Sequence, residues 1–221
     1  MIPLYDTVRS RKFPLINVTL IVANVLAFLY ELQLGEPALK EFIFEWGLTP
    51  SRFVNDPTTA WIYIFSSMFL HGGWFHIINN MWVLYIFGDN VEARMGGIRY
   101  LIFYLLSGIA AGILQSYILP SSEVPMIGAS GAIAGVLGAY LILYPNSRIA
   151  SLVPIFFIFT IIEIPAFVFL LFWFVSQLYS GLFAIQGGGA SGIAWWAHIG
   201  GFMFGLLMVS FFKRRNPYRN Y

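Results

Sequence analysis

The chain contains no cysteine. A disulfide, a thiolate metal site and a thiol nucleophile are therefore excluded. Charge is the next scarcity. Asp, Glu, Lys and Arg make up 10% of the 221 residues, against about a quarter in soluble domains. So few charges cannot clothe a water-facing surface. Three histidines are present, none in an H-E-x-x-H pattern, which argues against a zinc protease of that kind. An aspartyl protease needs two intramembrane aspartates, and Asp89 is the one candidate in an apolar segment. No small-residue cleavage site follows the first apolar run, so the N-terminus does not read as a cleaved signal peptide. We expect no metal and no cofactor. With no soluble domain to carry a basic face, we expect no nucleic-acid partner.

Apolar residues, at 59%, and aromatic ones, at 19%, are abundant, and they fall in long runs suited to lipid. The length fits one domain over 1–221: a segment 1–12, a membrane core 13–212 and a basic tail 213–221. We read six spans, at 13–32, 73–91, 99–119, 128–144, 164–184 and 193–212. The expected fold is all-α, a polytopic membrane protein with six transmembrane helices in the lipid bilayer. The stretch WIYIFSSMFL at 61–70 is too short to cross. It is placed in a first loop, 33–72, at the outer interface, where Trp46, Trp61 and Trp74 suit the headgroup level. Arg9, Arg11, Lys12, Arg94, Arg99, Arg148, Lys213, Arg214, Arg215 and Arg219 fall on one side, and only Lys40 and Arg52 on the other. By the positive-inside rule both termini are cytoplasmic. An even number of spans requires the same.

Polar groups inside spans are costly and mark functional sites by default. Three places stand out. His76 and Asn80 open the second span and, four apart, share a helix face. Taken alone they are also compatible with an interfacial cap. His71, five residues before His76, reads as a loop-fixing hydrogen bond. Ser130 opens the fourth span, in Gly128-Ala-Ser130-Gly131, followed by Gly135 and Gly138. That pattern alone is equally a close-packing face. His198 lies in the sixth span beside Gly201 and Gly205, again small-xxx-small; alone it fits a helix–helix hydrogen bond. The three motifs share one side of the membrane. His198 is five residues into its span, roughly 7 Å deep. The fourth span from Ser130 to Tyr144 gives roughly 22 Å of helix, short of a roughly 30 Å bilayer core, so Ser130 is recessed. Ser130 and His198 are thereby expected at similar depth, with Gly131, Gly135, Gly201 and Gly205 allowing close approach.

A serine becomes a nucleophile beside a base, usually His. His198 can take the Ser130 proton and return it to the leaving amine. No carboxylate stands where it would orient His198, so the reading is a dyad. The developing oxyanion needs donors, and the Ser130 backbone N–H at a helix N-terminus, with His76 and Asn80, can supply them.

At these residues the sequence resembles the rhomboid family of intramembrane serine proteases, from about Trp61 to Phe212. The match includes His-x-x-x-Asn at His76 and Asn80, Gly-x-Ser-Gly at Ser130, Ala-His-x-Gly-Gly-x-x-x-Gly at His198, and Glu-x-Arg at Glu92 and Arg94. The resemblance implies a six-helix core around a water-filled cavity. It implies Ser130 and His198 as catalytic dyad and His76, Asn80 and the Ser130 backbone as oxyanion hole. Its implied partners are single-span membrane proteins, cleaved near or within their transmembrane segment. The expected setting is a bacterial cytoplasmic membrane with the site opening to the outer side. Two departures stand out. Ala134 occupies the place of an aromatic that packs on the catalytic His in many members, and Arg52 lacks the neighbouring Trp of the usual first-loop pair. Two other readings are an inactive relative that binds membrane proteins, which loss of Ser or His would mark, and a small transporter. Against the transporter stand the lack of a clear internal repeat and the one-sided polar cluster.

Overall fold

The computed structural model of the chain describes residues 1–8, 12–155, 158–185 and 192–214. Arg9, Arg11, Arg215 and Arg219, used above for orientation, lie outside them.

Helices dominate, and each predicted span holds one. They are α1 (Leu15–Glu31), α5 (Trp74–Met95), α6 (Gly97–Ile118), α7 (Ser130–Leu143), α8 (Ala166–Ile185) and α9 (Trp195–Phe212). By length and composition α6, α8 and α9 can each cross a membrane; α1 and α7 are apolar but shorter. The chain is an integral membrane protein. Because α5 runs on to Met95, Glu92 and Arg94 belong to its last turns rather than to a loop.

The first loop is itself helical: α2 (Glu36–Trp46), α3 (Pro50–Asn55) and α4 (Pro57–Ser67). Proline stands in the first turn of each, where its missing N–H costs nothing. Asp56 starts α4 by accepting from the Thr58 and Thr59 hydroxyls at 2.7 and 2.6 Å. Those donors hold its carboxyl below the usual range. Leu48, Phe53, Ala60, Ile64 and Met68 form a small apolar core beneath these helices. Arg52 is anchored without a neighbouring Trp. Its guanidinium donates to the Glu45 and Phe44 carbonyls at 3.1 and 3.2 Å and lies over the Tyr63 ring at 4.8 Å.

The all-α expectation needs one correction, a three-stranded antiparallel sheet. Its order is β1 (Ile2–Asp6), β2 (Arg148–Ile155), β3 (Ile158–Pro165). The hairpin pairs Arg148 with Pro165 through to Ile155 with Ile158. Its Ile, Val, Thr and Phe residues favour extended backbone over helix. β1 adds to β2 from the far end of the chain, Ile2 opposite Leu152. It is pinned to the bundle by side chains: the Trp82 indole donates to the Pro3 carbonyl at 2.7 Å, and Asp6 accepts from Asn90 at 2.9 Å and from the Tyr140 hydroxyl.

α7 is the central pillar. It packs on α5, α6, α8 and α9, and Gly131 to Leu141 are buried without a break. A helix apolar all round belongs at the centre. Its 14 residues give roughly 21 Å, so it is shorter than the helices around it.

Glu92 joins α1 to this frame. Its carboxylate accepts from the Ile16 and Asn17 amides at 3.2 and 2.7 Å, two of the unpaired donors at the start of α1. Negative charge there also suits the helix dipole. Glu92→Leu should cost about 1–3 kcal/mol by leaving these buried donors unmet. The expected readout is a lower thermal unfolding temperature in detergent; an unchanged one would contradict the tie.

Candidate active site

The site is assembled at the N-terminal ends of α5, α7 and α9. The segment leading into α7 is held by the first loop. Leu48 and Met126 exchange backbone hydrogen bonds of 3.0 and 2.8 Å, and the Gly128 amide donates to the Ser67 carbonyl at 2.8 Å. Gly128 takes φ +119°, a conformation that favours glycine. The backbone there passes so close to α5 that a Cβ would lie 2.6 Å from His76 Nε2. Ser130 follows as the first residue of α7, so its amide has no acceptor within the helix.

α9 is brought to α7 by missing side chains. A Cβ on Gly201 would overlap the Gly131 carbonyl oxygen, and one on Gly205 the Gly135 carbonyl oxygen. Gly131 and Gly135 serve a second neighbour as well, since a Cβ on either would strike Ala111 or Ser107 of α6. Three and four residues make about one helical turn, so His198, Gly201 and Gly205 share one stripe of α9. Backbone contact along that stripe carries the imidazole to the start of α7. His198 Nε2 lies 2.8 Å from Ser130 Oγ. Its Nδ1 lies 2.8 Å from Gln177 Oε1 on α8. The ring is flanked by Trp173 and Trp195, each with centroid 6.1 Å away. These two tryptophans and Gln177 surround the imidazole where Ala134, fully buried, cannot.

His76 and Asn80 face the same space from α5. The Gly72 amide donates to His76 Nδ1 at 3.3 Å. That leaves the ring proton on Nε2, the atom nearest Gly128. Asn80 is 4% exposed, and its Nδ2 has no hydrogen-bond partner. A buried donor left unpaired is costly; here it borders the cavity. The cavity, of about 460 Å³, is lined by Gly128, Ser130, His198, His76 and Asn80, with Met126 and Phe75 among its apolar walls. Ser130, His198, His76 and Asn80 thus share one chamber. His71 stands beside it. Its Nδ1 lies 3.2 Å from the Phe69 carbonyl, its amide donates to Glu31 at 3.1 Å, and its ring packs on His76 at 5.0 Å.

Gln177, Trp173 and Trp195 escaped the sequence reading. Gln177 and Ser176 were nevertheless visible as polar residues within an apolar span, itself a functional signal.

The rhomboid domain model matches residues 58–215. Individual relatives match shorter stretches. RHOMBOID-like protein 6, mitochondrial, of Arabidopsis thaliana is 40% identical over 78 residues, 35% of this chain and 25% of that protein. Rhomboid protein 1, mitochondrial, of Saccharomyces cerevisiae is 31% identical over 99 residues, 43% of this chain and 29% of that protein. Inactive RHOMBOID-like protein 8 of Arabidopsis thaliana is 35% identical over 105 residues, 44% of this chain and 29% of that protein. The chain thus spans less than a third of the length of these relatives. With the domain match covering more than half of its own length, the chain belongs to the rhomboid family.

Proposed function

We propose that the chain is an intramembrane serine endopeptidase that cleaves single-span membrane proteins in or near their transmembrane segment. One observation carries the reading: Ser130 Oγ and His198 Nε2 stand 2.8 Å apart, facing a cavity that also holds His76 and Asn80. In the first step Ser130 Oγ attacks the scissile carbonyl carbon, and its proton passes to His198 Nε2. The carbonyl electron pair moves onto oxygen. His76 Nε2–H, Asn80 Nδ2–H and the Ser130 amide donate to it. Collapse expels the amine, which takes the proton from His198. Water then enters the cavity and hydrolyses the acyl-enzyme by the same relay. The positions of the basic residues support six spans, cytoplasmic termini and a cavity open to the outer side. One relative is named inactive, so the competing reading is a non-catalytic binder. The short Ser130–His198 contact favours the enzyme.

The test is a purified protein reconstituted in liposomes with a panel of single-span reporters. Products should map to bonds in or beside the span and should vanish with Ser130→Ala. A panel that yields no Ser130-dependent product would favour the non-catalytic binder.

The oxyanion donors make a graded prediction. Losing one such donor costs roughly 10²–10³ in kcat in a soluble serine protease. Asn80→Ala should cost less, because His76 and the Ser130 amide remain. His76→Ala with Asn80→Ala together should cost at least that much. An unchanged rate in the double variant would remove both residues from the mechanism.

A further inference from the structure

We propose that Gln177 is the third member of this site, a positioning residue that fixes the proton of His198 on Nδ1 and aims Nε2 at Ser130. The inference rests on the reading of Ser130 and His198 as nucleophile and base.

The argument follows the hydrogens along α8. The Ser176 hydroxyl donates to the Trp173 carbonyl at 2.5 Å. Its single proton is then spent, and its lone pairs are free to accept. Gln177 Nε2 lies 3.1 Å from that Ser176 oxygen and 3.4 Å from the Trp173 carbonyl. Both neighbours are acceptors, so the amino end of the carboxamide belongs there. The other end, Oε1, is thereby turned toward His198 Nδ1 at 2.8 Å. A carboxamide oxygen can only accept, so Nδ1 must donate. In a neutral imidazole the other nitrogen then carries the lone pair. That nitrogen, Nε2, is the one 2.8 Å from Ser130 Oγ. The chain of bonds from Trp173 to Ser130 thus leaves His198 in the tautomer that can accept the serine proton.

The choice of a carboxamide suits the surroundings. Gln177 is 6% exposed within an apolar helix. An ionised carboxylate there would carry a heavy desolvation cost. Gln177 supplies the acceptor without the charge. When the proton moves from Ser130 Oγ to Nε2 and Oγ bonds to the carbonyl carbon, the ring becomes a cation. The Nδ1–H···Oε1 bond then becomes charge-assisted and stronger. Gln177 touches neither substrate nor the reacting atoms; it acts through His198.

The test uses the full chain in detergent. Gln177→Met keeps the side-chain volume and removes the acceptor; Gln177→Glu, in the neutral acid form that the apolar surroundings favour, restores an acceptor oxygen toward His198 and a donor toward Ser176. Two readouts are taken: the rate of Ser130 labelling by a fluorophosphonate, and the ¹⁵N shifts of the His198 ring in ¹⁵N-histidine protein, assigned by their loss in His198→Ala. The wild-type ring should show a protonated Nδ1 and an unprotonated Nε2. Gln177→Met should shift the ring toward a mixture of tautomers. It should also slow labelling about 10- to 100-fold, the scale on which losing an outer partner that orients a metal-bound histidine acts, with the unfolding temperature nearly unchanged. Gln177→Glu should recover most of the rate. Labelling of Gln177→Met at the wild-type rate would overturn the proposal. So would a wild-type ring protonated on Nε2, a result that needs no variant to fold. If the wild-type protein takes no label, the protease reading fails, while the ring shifts still decide what Gln177 does to His198.

Discussion

Alanine at Ser130, or at His198, should abolish proteolysis while leaving the bundle folded. Neither change removes a packing element. Both side chains are half-buried at the cavity wall, whereas the contact that holds α9 on α7 is made by glycines deeper along the helices. The expected loss is large, because under the proposed mechanism nucleophile and base act as one unit. In a soluble serine protease removing either costs about 10⁶ in kcat. The double variant should therefore be no worse than either single one. The check is initial rates on a reconstituted single-span reporter beside thermal unfolding of each variant. Ser130→Ala activity within a factor of ten of wild type would end the serine mechanism. So would a double variant far below both singles, since independent contributions would then be adding.

Gly201→Val should also be damaging, by a smaller factor and for another reason. Even a bare Cβ at this position would overlap the Gly131 carbonyl oxygen. Backbone cannot rotate away as a long side chain can, so the two helices must part. Overpacking a tight interior costs about 1–3 kcal/mol, occasionally more. The functional cost is set by geometry. His198 stands one turn from Gly201 on the same stripe, so parting the helices lengthens the 2.8 Å contact to Ser130. A misplacement of about 1 Å can cost roughly 10²-fold in rate. The control is Gly35→Val in the first loop, where a Cβ meets open space. Gly201→Val should unfold earlier in detergent and cleave at least roughly 10²-fold more slowly; Gly35→Val should do neither. Full activity in Gly201→Val would mean that the α7–α9 contact does not set the distance between Ser130 and His198.

The sequence displayed the helices well because lipid imposes length and apolarity on them. The shortness of α7 followed from counting residues. The sheet was hidden for two reasons. The stretch 148–165 is as apolar as a span, and hydropathy alone does not separate a buried strand from a helix. Its β-branched residues were the available signal. β1 pairs with a strand about 150 residues away in sequence, a contact no local pattern announces. At the site, Ser130, His198, His76 and Asn80 were legible because each is a polar residue in a setting that resists polarity. Gln177 met the same criterion. It was passed over because its partner lies on another helix, 21 residues on, and nothing in a linear pattern aims one side chain at another. The surroundings of His198 were invisible for the same reason. Ala134 advertised a missing aromatic, but Trp173 and Trp195 come from α8 and α9, and only packing brings them together.

The central claim is that Ser130 is a nucleophile activated by His198. It is tested most directly by treating the full chain in detergent with a fluorophosphonate and mapping the adduct by mass spectrometry. The account predicts one phosphonylated residue, Ser130, with labelling lost in Ser130→Ala and also in His198→Ala, which keeps the serine but lacks its base. Labelling of His198→Ala at the wild-type rate, or an adduct on any other serine with Ser130 untouched, would contradict it.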